Sequence, residues 1–395
     1  MRLKTMPIFL AFFLMGFADA MSPLRDAVQA EHGLSNFISA LLPFVVFIAF
    51  AIFSIPGGLL AARIGKKKLL LLGLGLNIIA LLIPSIQSPS FPLLLSCIFV
   101  LGIGTTLLQV AGNPIMRDVS AEGAYSRNLS FAQGIKGIGS TASTYLVSVV
   151  TGFVFFQSMG WRGAFPLFCA LMILAFVSVA ALKVDEAKPA KPPGLGSSLG
   201  LLGHPVFLMA VIGIFLYVGA EQCMSSYLKD ALRMLGMNEN NSGRLGPALF
   251  LAMLTVGRIL GGVILHFISP RTCFRISALL GLLGAGTMMF ISSTYIAVAM
   301  VVIAGLGFAN IWPMLFSITI EDKPECSNEL SGLMCMAISG GALLPLLMGW
   351  LRDLGWGALS YIVPALCFAY LLLISIKGGG KPADASYARD TVKAA

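Results

Sequence analysis

Three ionisable side chains stand where a soluble protein would not place them. Asp19, Lys136 and Glu221 each lie inside an apolar run long enough to cross a bilayer. A charge at that depth is costly unless it faces a cavity or finds a partner. Asp19 and Glu221 are therefore read as binding a coupling cation or substrate hydroxyls; the alternative is a structural ion pair or a residue at a span end. Lys136 lies in the same half of the chain as Asp19, on the fifth apolar run against the first, and can pair with it. That pair would be a structural staple, a switch opened by an ion, or a handle for a polar substrate. Around these charges stand amides: Gln109, Asn113, Gln133, Gln222 and Asn310. Amides both donate and accept, as a hydroxyl-rich ligand requires. Trp312 adds an indole, a flat apolar face with one N–H donor. These five amides, Lys136 and Trp312 are the candidate substrate lining. For each alone, an interhelical hydrogen bond or a place in the interfacial belt is an equal reading. Arg258, also inside a span, is read as a structural contact rather than a substrate ligand.

The elements that must position these groups are membrane helices. Hydrophobic residues make up 57% of the chain and charged residues 11%, against roughly 25% charged in soluble domains. Mean hydropathy is +0.91. Lipid is the only solvent that suits such a surface. The net charge of +9 does not imply nucleic acid, because the basic residues sit in short loops between apolar runs. Twelve apolar windows lie near residues 6–28, 37–61, 69–87, 91–116, 127–153, 161–183, 205–228, 245–267, 273–292, 294–320, 329–350 and 356–376. Helices are expected, because lipid offers no partner to an unpaired backbone group. The first window, with its basic start and small residues at Ala18 and Ala20, imitates a signal peptide but is read as a retained first helix. Eighteen of the 26 Lys and Arg residues fall on the side that holds both ends, and six on the other. That bias places both termini in the cytoplasm.

The chain repeats itself in parallel. FLMGFAD from Phe13 matches FLYVGAE from Phe215. Gly102 and Gly104 match Gly305 and Gly307, and Leu129-Ser130 matches Leu330-Ser331. Residues 184–200 are rich in Pro, Lys and Gly and form a linker between two six-helix halves. Pro43, Pro56, Pro114, Pro313 and Pro345 lie in or at the ends of spans, where each removes a backbone bond and permits a bend. The seven cysteines form no CxxC pair and read as small core hydrophobes. The three histidines have no metal-site spacing, and no nucleophile–base constellation is present, so an enzyme is not expected.

The motifs resemble the fucose/galactose/glucose:proton symporter branch of the major facilitator superfamily. AGNP at Ala111–Pro114 is similar to that branch's helix 4 signature, and NLSFAQGIKGIG at Asn128–Gly139 to its helix 5 signature. YVGAEQCMSSYL at Tyr217–Leu228 is similar to its helix 7 run; GRILGG from Gly257 and the glycine-rich run before Trp350 fit as well. ARIGKKK at Ala62–Lys68 resembles the superfamily's loop motif that latches the halves, though topology alone also accounts for it. The resemblance implies a substrate site near mid-membrane between the halves. It also implies proton-carrying acids on helices 1 and 4, and those positions hold Pro23 and Gln109 here. The helix 5 Asn of the branch becomes Lys136 and the helix 7 Gln becomes Glu221, while Asp19 stands one turn before Pro23.

The expected fold is an all-α membrane protein of twelve transmembrane helices in two parallel-repeated six-helix halves, the major facilitator fold. Residues 1–183 form the N-terminal half, 184–204 a cytoplasmic linker, 205–376 the C-terminal half and 377–395 a cytoplasmic tail. The expected function is secondary active transport of a sugar or glycoside, coupled to protons or sodium by alternating access. Drug or metabolite efflux on the same fold is the alternative. No cofactor is expected beyond the coupling H+ or Na+. The partners expected are a small-molecule sugar or glycoside and the lipid bilayer of the cell inner membrane, with no nucleic acid, and the chain is expected to act as a monomer.

Overall fold

The structure, a computed structural model, describes residues 6–17, 21–150, 154–184, 186 and 193–377. Asp19 and the expected tail beyond residue 377 lie outside them. Seventeen α-helices follow one another: α1 Met6–Met15, α2 Met21–His32, α3 Asn36–Ile64, α4 Lys66–Ile86, α5 Phe91–Val119, α6 Tyr125–Val150, α7 Ala164–Ala181, the short α8 Leu195–Gly200, α9 Pro205–Met234, the short α10 Glu239–Gly243, α11 Leu249–Ile264, α12 Pro270–Thr287, α13 Thr294–Ala309, α14 Ile311–Asp322, α15 Ser327–Met336, α16 Gly340–Asp353 and α17 Ile362–Lys377. No strand occurs among the described residues.

Nine helical segments among the described residues are long and apolar enough to cross a membrane. The other three expected spans fall on α1 with α2, on α6, and on α12, whose start carries Arg271 and Arg275. Two expected spans are not continuous. The window 294–320 breaks at Asn310 (φ −101°, ψ 4°), between α13 and α14. Pro313 follows at once, and a proline cannot donate to the carbonyl four residues earlier. The window 329–350 breaks at a 3₁₀ turn over Ala337–Ser339, before Gly340-Gly341.

Two compact units result, and they do not follow chain order. One holds Met1–His204 together with Asp322–Ser339; the other holds Pro205–Glu321 with Gly340–Ala395. The linker region and α15, expected in the linker and the C-terminal half, thus pack with the first unit. Within it, α4 lies on α5 and α7, α3 on α5 and α15, and α1 on α6. In the second unit α12 lies on α13 and α17, α11 on α13, and α9 on α16 and α17.

Glycine sets how closely these helices approach. A Cβ on Gly104 would stand 2.7 Å from the Gly73 carbonyl oxygen, and one on Gly307 2.8 Å from Gly281 Cα. Gly102 faces α3 at Val46, and Gly305 faces α11 at Phe250. Such contacts are how membrane helices associate without a hydrophobic driving force. Six of the seven cysteines are buried and Cys326 is half-buried.

Candidate functional site: a polar cluster in each unit

In the first unit the cluster grows from Asn113 on α5. Asn113 is completely buried, and a buried amide must find partners. Its Oδ1 accepts from Gln133 Nε2 on α6 at 3.1 Å, and its Nδ2 donates to Cys335 Sγ on α15 at 3.9 Å. Tyr125 Oη donates to the Asn113 carbonyl at 3.0 Å. Next in chain stands Pro114, which leaves the Val110 carbonyl without its helical donor. Ser331 Oγ of α15 fills that place at 2.8 Å. Gln109 lies one turn before Asn113 and is buried, so the two amides share a face of α5. Lys136, one turn after Gln133 on α6, is half-buried and near enough to act electrostatically on the Cys335 thiol. Its expected pairing with Asp19 lies outside the described residues.

In the second unit the cluster is charged. Tyr217 and Glu221 stand one turn apart on α9, and the Tyr217 hydroxyl donates to Glu221 Oε2. Arg258 of α11 donates from Nη2 to Tyr217 Oη at 3.1 Å and lies 3.4 Å from Glu221 Oε2. Its Nε donates to the Ala309 carbonyl at 3.3 Å, where α13 ends. Ala309 is four residues before Pro313, so this carbonyl too has lost its helical donor. The side chain of Arg258 is 9% exposed and that of Glu221 17%. A charged pair this deep is tolerated because extra hydrogen bonds satisfy it. Tyr217 is held by Phe308, which packs on Phe250 and Phe368.

Asn310 and Trp312 flank the same break. Asn310 Nδ2 donates to the Gly257 carbonyl at 2.9 Å, and a side chain on Gly261 would collide with the amide. Trp312 is buried, stacked near Phe316, and its indole Nε1 has no partner among the described residues. Gln222, next to Glu221, is half-buried. The candidate residues therefore fall into two groups: Gln109, Asn113, Gln133 and Lys136 in one unit, and Glu221, Gln222, Asn310 and Trp312 in the other.

Sequence reasoning missed four participants. Tyr217 carried a signal, since it precedes Glu221 by one helical turn. Ser331 and Cys335 carried none, because their partners are more than two hundred residues away, and Tyr125 bonds Asn113 only through the fold of the short loop between α5 and α6. The ARIGKKK stretch is also organised. Lys66 Nζ pairs with Asp118 at 2.6 Å, both buried, and Glu186 accepts the backbone N–H groups of Lys66 and Lys67 at 2.6 and 2.8 Å. Gly65 (φ 95°) leaves room for that carboxylate.

Apolar helices of membrane-crossing length, each unit carrying a buried polar cluster around a carbonyl that a proline leaves without its helical donor, fit a membrane transporter rather than an enzyme. Residues 8–344 match the Major Facilitator Superfamily, and the chain belongs to it. It is therefore a multi-pass membrane protein of the twelve-helix major facilitator fold. Among curated relatives, a glucose/galactose transporter of Brucella abortus is 28% identical over 387 residues, spanning 93% of this chain and 92% of that one. The L-fucose-proton symporter of Escherichia coli K12 is 23% identical, spanning 92% and 90%. A solved structure of the E. coli fucose:proton symporter superposes with a TM-score of 0.80 at 19% identity, covering 96% of this chain and all of that one. A proton:xylose symporter structure gives 0.75 at 15% identity, covering 95% and 94%. Both structural matches speak to the fold.

Proposed function

We propose that this protein carries a sugar or glycoside across a cell inner membrane by cation-coupled symport. The observation that carries the reading is the near full-length likeness to curated relatives named as glucose/galactose transporters. The polar residues of the two clusters support it. Amides such as Asn113, Gln133 and Gln222 suit sugar hydroxyls, and the indole of Trp312, without a partner among the described residues, supplies a donor and a stacking face. Glu221 is the carboxylate proposed to take the coupling cation, with Asp19 as its counterpart in the first half. The cation is a proton by analogy with relatives named as proton symporters, or sodium, which carboxylate and amide oxygens also ligate. Both termini face the cytoplasm in this reading, and one chain suffices for transport.

The test is uptake of labelled glucose, galactose, fucose and a panel of glycosides by proteoliposomes, under separately imposed proton and sodium gradients. Accumulation against a sugar gradient driven by one cation is expected. Flux that ignores both gradients would mean a uniporter. No flux for any sugar would favour efflux of another substrate class.

A further inference from the structure

Arg258 is shared between acceptors of two kinds. On one side stand Glu221 Oε2 and the Tyr217 hydroxyl, 3.4 and 3.1 Å from Nη2. On the other stands the Ala309 carbonyl, 3.3 Å from Nε. The direction of donation is fixed along the first branch. Arg258 donates to Tyr217, and Tyr217 donates to Glu221 Oε2. That oxygen thus already receives an N–H and an O–H, and the charge of the carboxylate is already balanced. A cation that arrives at Glu221 meets a guanidinium in direct contact with its ligand, and the two like charges repel strongly in a site shielded from water.

The second branch keeps the guanidinium anchored when the first is lost. Ala309 ends α13, and Pro313 withholds the N–H that would bond its carbonyl. A helix C-terminus also favours a cation. The Ala309 anchor lies on the joint that carries Asn310 and Trp312. Asn310 holds the carbonyl of Gly257, the residue before Arg258. The buried indole of Trp312 has no hydrogen-bond partner among the described residues.

We propose that Arg258 is a positioning residue for coupling: it is the resident counter-ion of Glu221, and the driving cation releases its guanidinium from Glu221 and Tyr217, leaving it held at the Ala309 carbonyl. The inference rests on the reading that Glu221 takes the coupling cation. Cation occupancy is then transmitted to the break between α13 and α14, and so to Asn310 and Trp312. Arg258 need not touch the sugar. Linkage makes the effect reciprocal: whatever the sugar does to that joint changes the hold of Arg258 on Glu221.

The test uses the full chain in proteoliposomes with labelled glucose and galactose, and reads two quantities. One is sugar exchange without any gradient; the other is accumulation under a proton or a sodium gradient. Four proteins are compared with wild type: Arg258→Gln, Arg258→Lys, Glu221→Gln and the double variant Arg258→Gln/Glu221→Gln. Arg258→Gln is expected to keep exchange while losing at least about tenfold in accumulation, within the range of ordinary coupling between sites. Its half-saturating concentration of driving cation falls, because the competing charge is gone. Arg258→Lys keeps the charge and retains accumulation, and the double variant behaves as Glu221→Gln. Arg258→Gln that accumulates like wild type overturns the inference, and so does a folded Arg258→Lys that fails as Arg258→Gln fails. Should Arg258→Gln not fold, Arg258→Met is read in its place: a lowered half-saturating cation concentration with accumulation lost supports the inference, and accumulation like wild type overturns it. If Glu221→Gln accumulates normally, the reading beneath the inference falls with it. If Glu221→Gln loses accumulation while both Arg258 variants keep it, the inference about Arg258 falls alone.

Discussion

The two units share a glycine framework and differ in what they place on it. Gly139 of α6 meets the backbone of Phe13 on α1, and Gly340 at the start of α16 meets the backbone of Phe215 on α9. Phe13 and Phe215 are the matching residues of the sequence repeat. Gly104 likewise meets α4, as Gly307 meets α12. Backbone-to-backbone packing leaves no freedom for a side chain, so the framework is kept in both copies. The polar groups lie beside these contacts and are free to diverge. In one unit the hydrogen-bonded groups are neutral amides, two hydroxyls and a thiol, with Lys136 beside them; in the other they include a carboxylate, a guanidinium and a phenol.

Proline sharpens the contrast. Pro114 comes ten residues after Gly104, inside the continuous α5, and Pro313 six after Gly307, so the missing N–H comes one helical turn earlier in the second copy. Each proline orphans a carbonyl, at Val110 and at Ala309. Ser331 captures the first with a short neutral hydrogen bond of 2.8 Å. Arg258 captures the second at 3.3 Å while still held by Glu221 and Tyr217. The same backbone defect is closed in one unit by a side chain with a single task, and in the other by a side chain with two.

The largest effect should come from the charged cluster. Glu221→Gln is expected to lower cation-driven accumulation by about 5- to 150-fold, the usual span of coupling between two sites, while sugar exchange persists. Gln133→Ala should do the opposite. It weakens exchange and accumulation together, leaving their ratio unchanged. Proteoliposome uptake measured both ways checks the pair, and the contrast between units breaks if the two variants fail alike. The glycine framework should respond equally in both copies. Gly139→Ala and Gly340→Ala each force a Cβ into a neighbouring backbone and are expected to cost about 1–3 kcal/mol, read as matched losses of melting temperature in detergent. A large drop in one and none in the other would show that the framework is not shared.

Much of this was legible because it is local or periodic. Apolar windows, the parallel repeat and the bias of Lys and Arg led to the twelve-helix fold before any geometry. Glu221 and Arg258 stood out as charges inside spans, and Asn113 and Gln133 as amides beside glycines. What stayed hidden depends on contacts between remote residues. The breaks at Asn310 and at Ala337–Ser339 looked like continuous apolar windows, although Pro313 and Gly340-Gly341 marked both. That α15 packs on α3 and α5 is set by tertiary fit: a Cβ on Gly332 would stand 2.9 Å from the Ser54 carbonyl oxygen. No spacing in the chain announces it.

The smallest effect tests the neutral capture. Ser331→Ala removes the hydroxyl from the Val110 carbonyl in a fully buried place and should cost about 1–2 kcal/mol. That figure alone does not distinguish a lost hydrogen bond from a small packing defect. Pro114→Ala does, because it restores a backbone N–H at position 114 that can reach the Val110 carbonyl along the helix. In a Pro114→Ala background the Ser331→Ala substitution should therefore cost less than about 0.5 kcal/mol, a non-additivity expected of residues sharing one partner. Melting temperatures of the four proteins in the cycle measure it. An undiminished cost would mean that Ser331 serves packing and that the Val110 carbonyl is satisfied in another way. The two proline sites would then differ in kind, and not only in the side chain that captures the orphaned carbonyl.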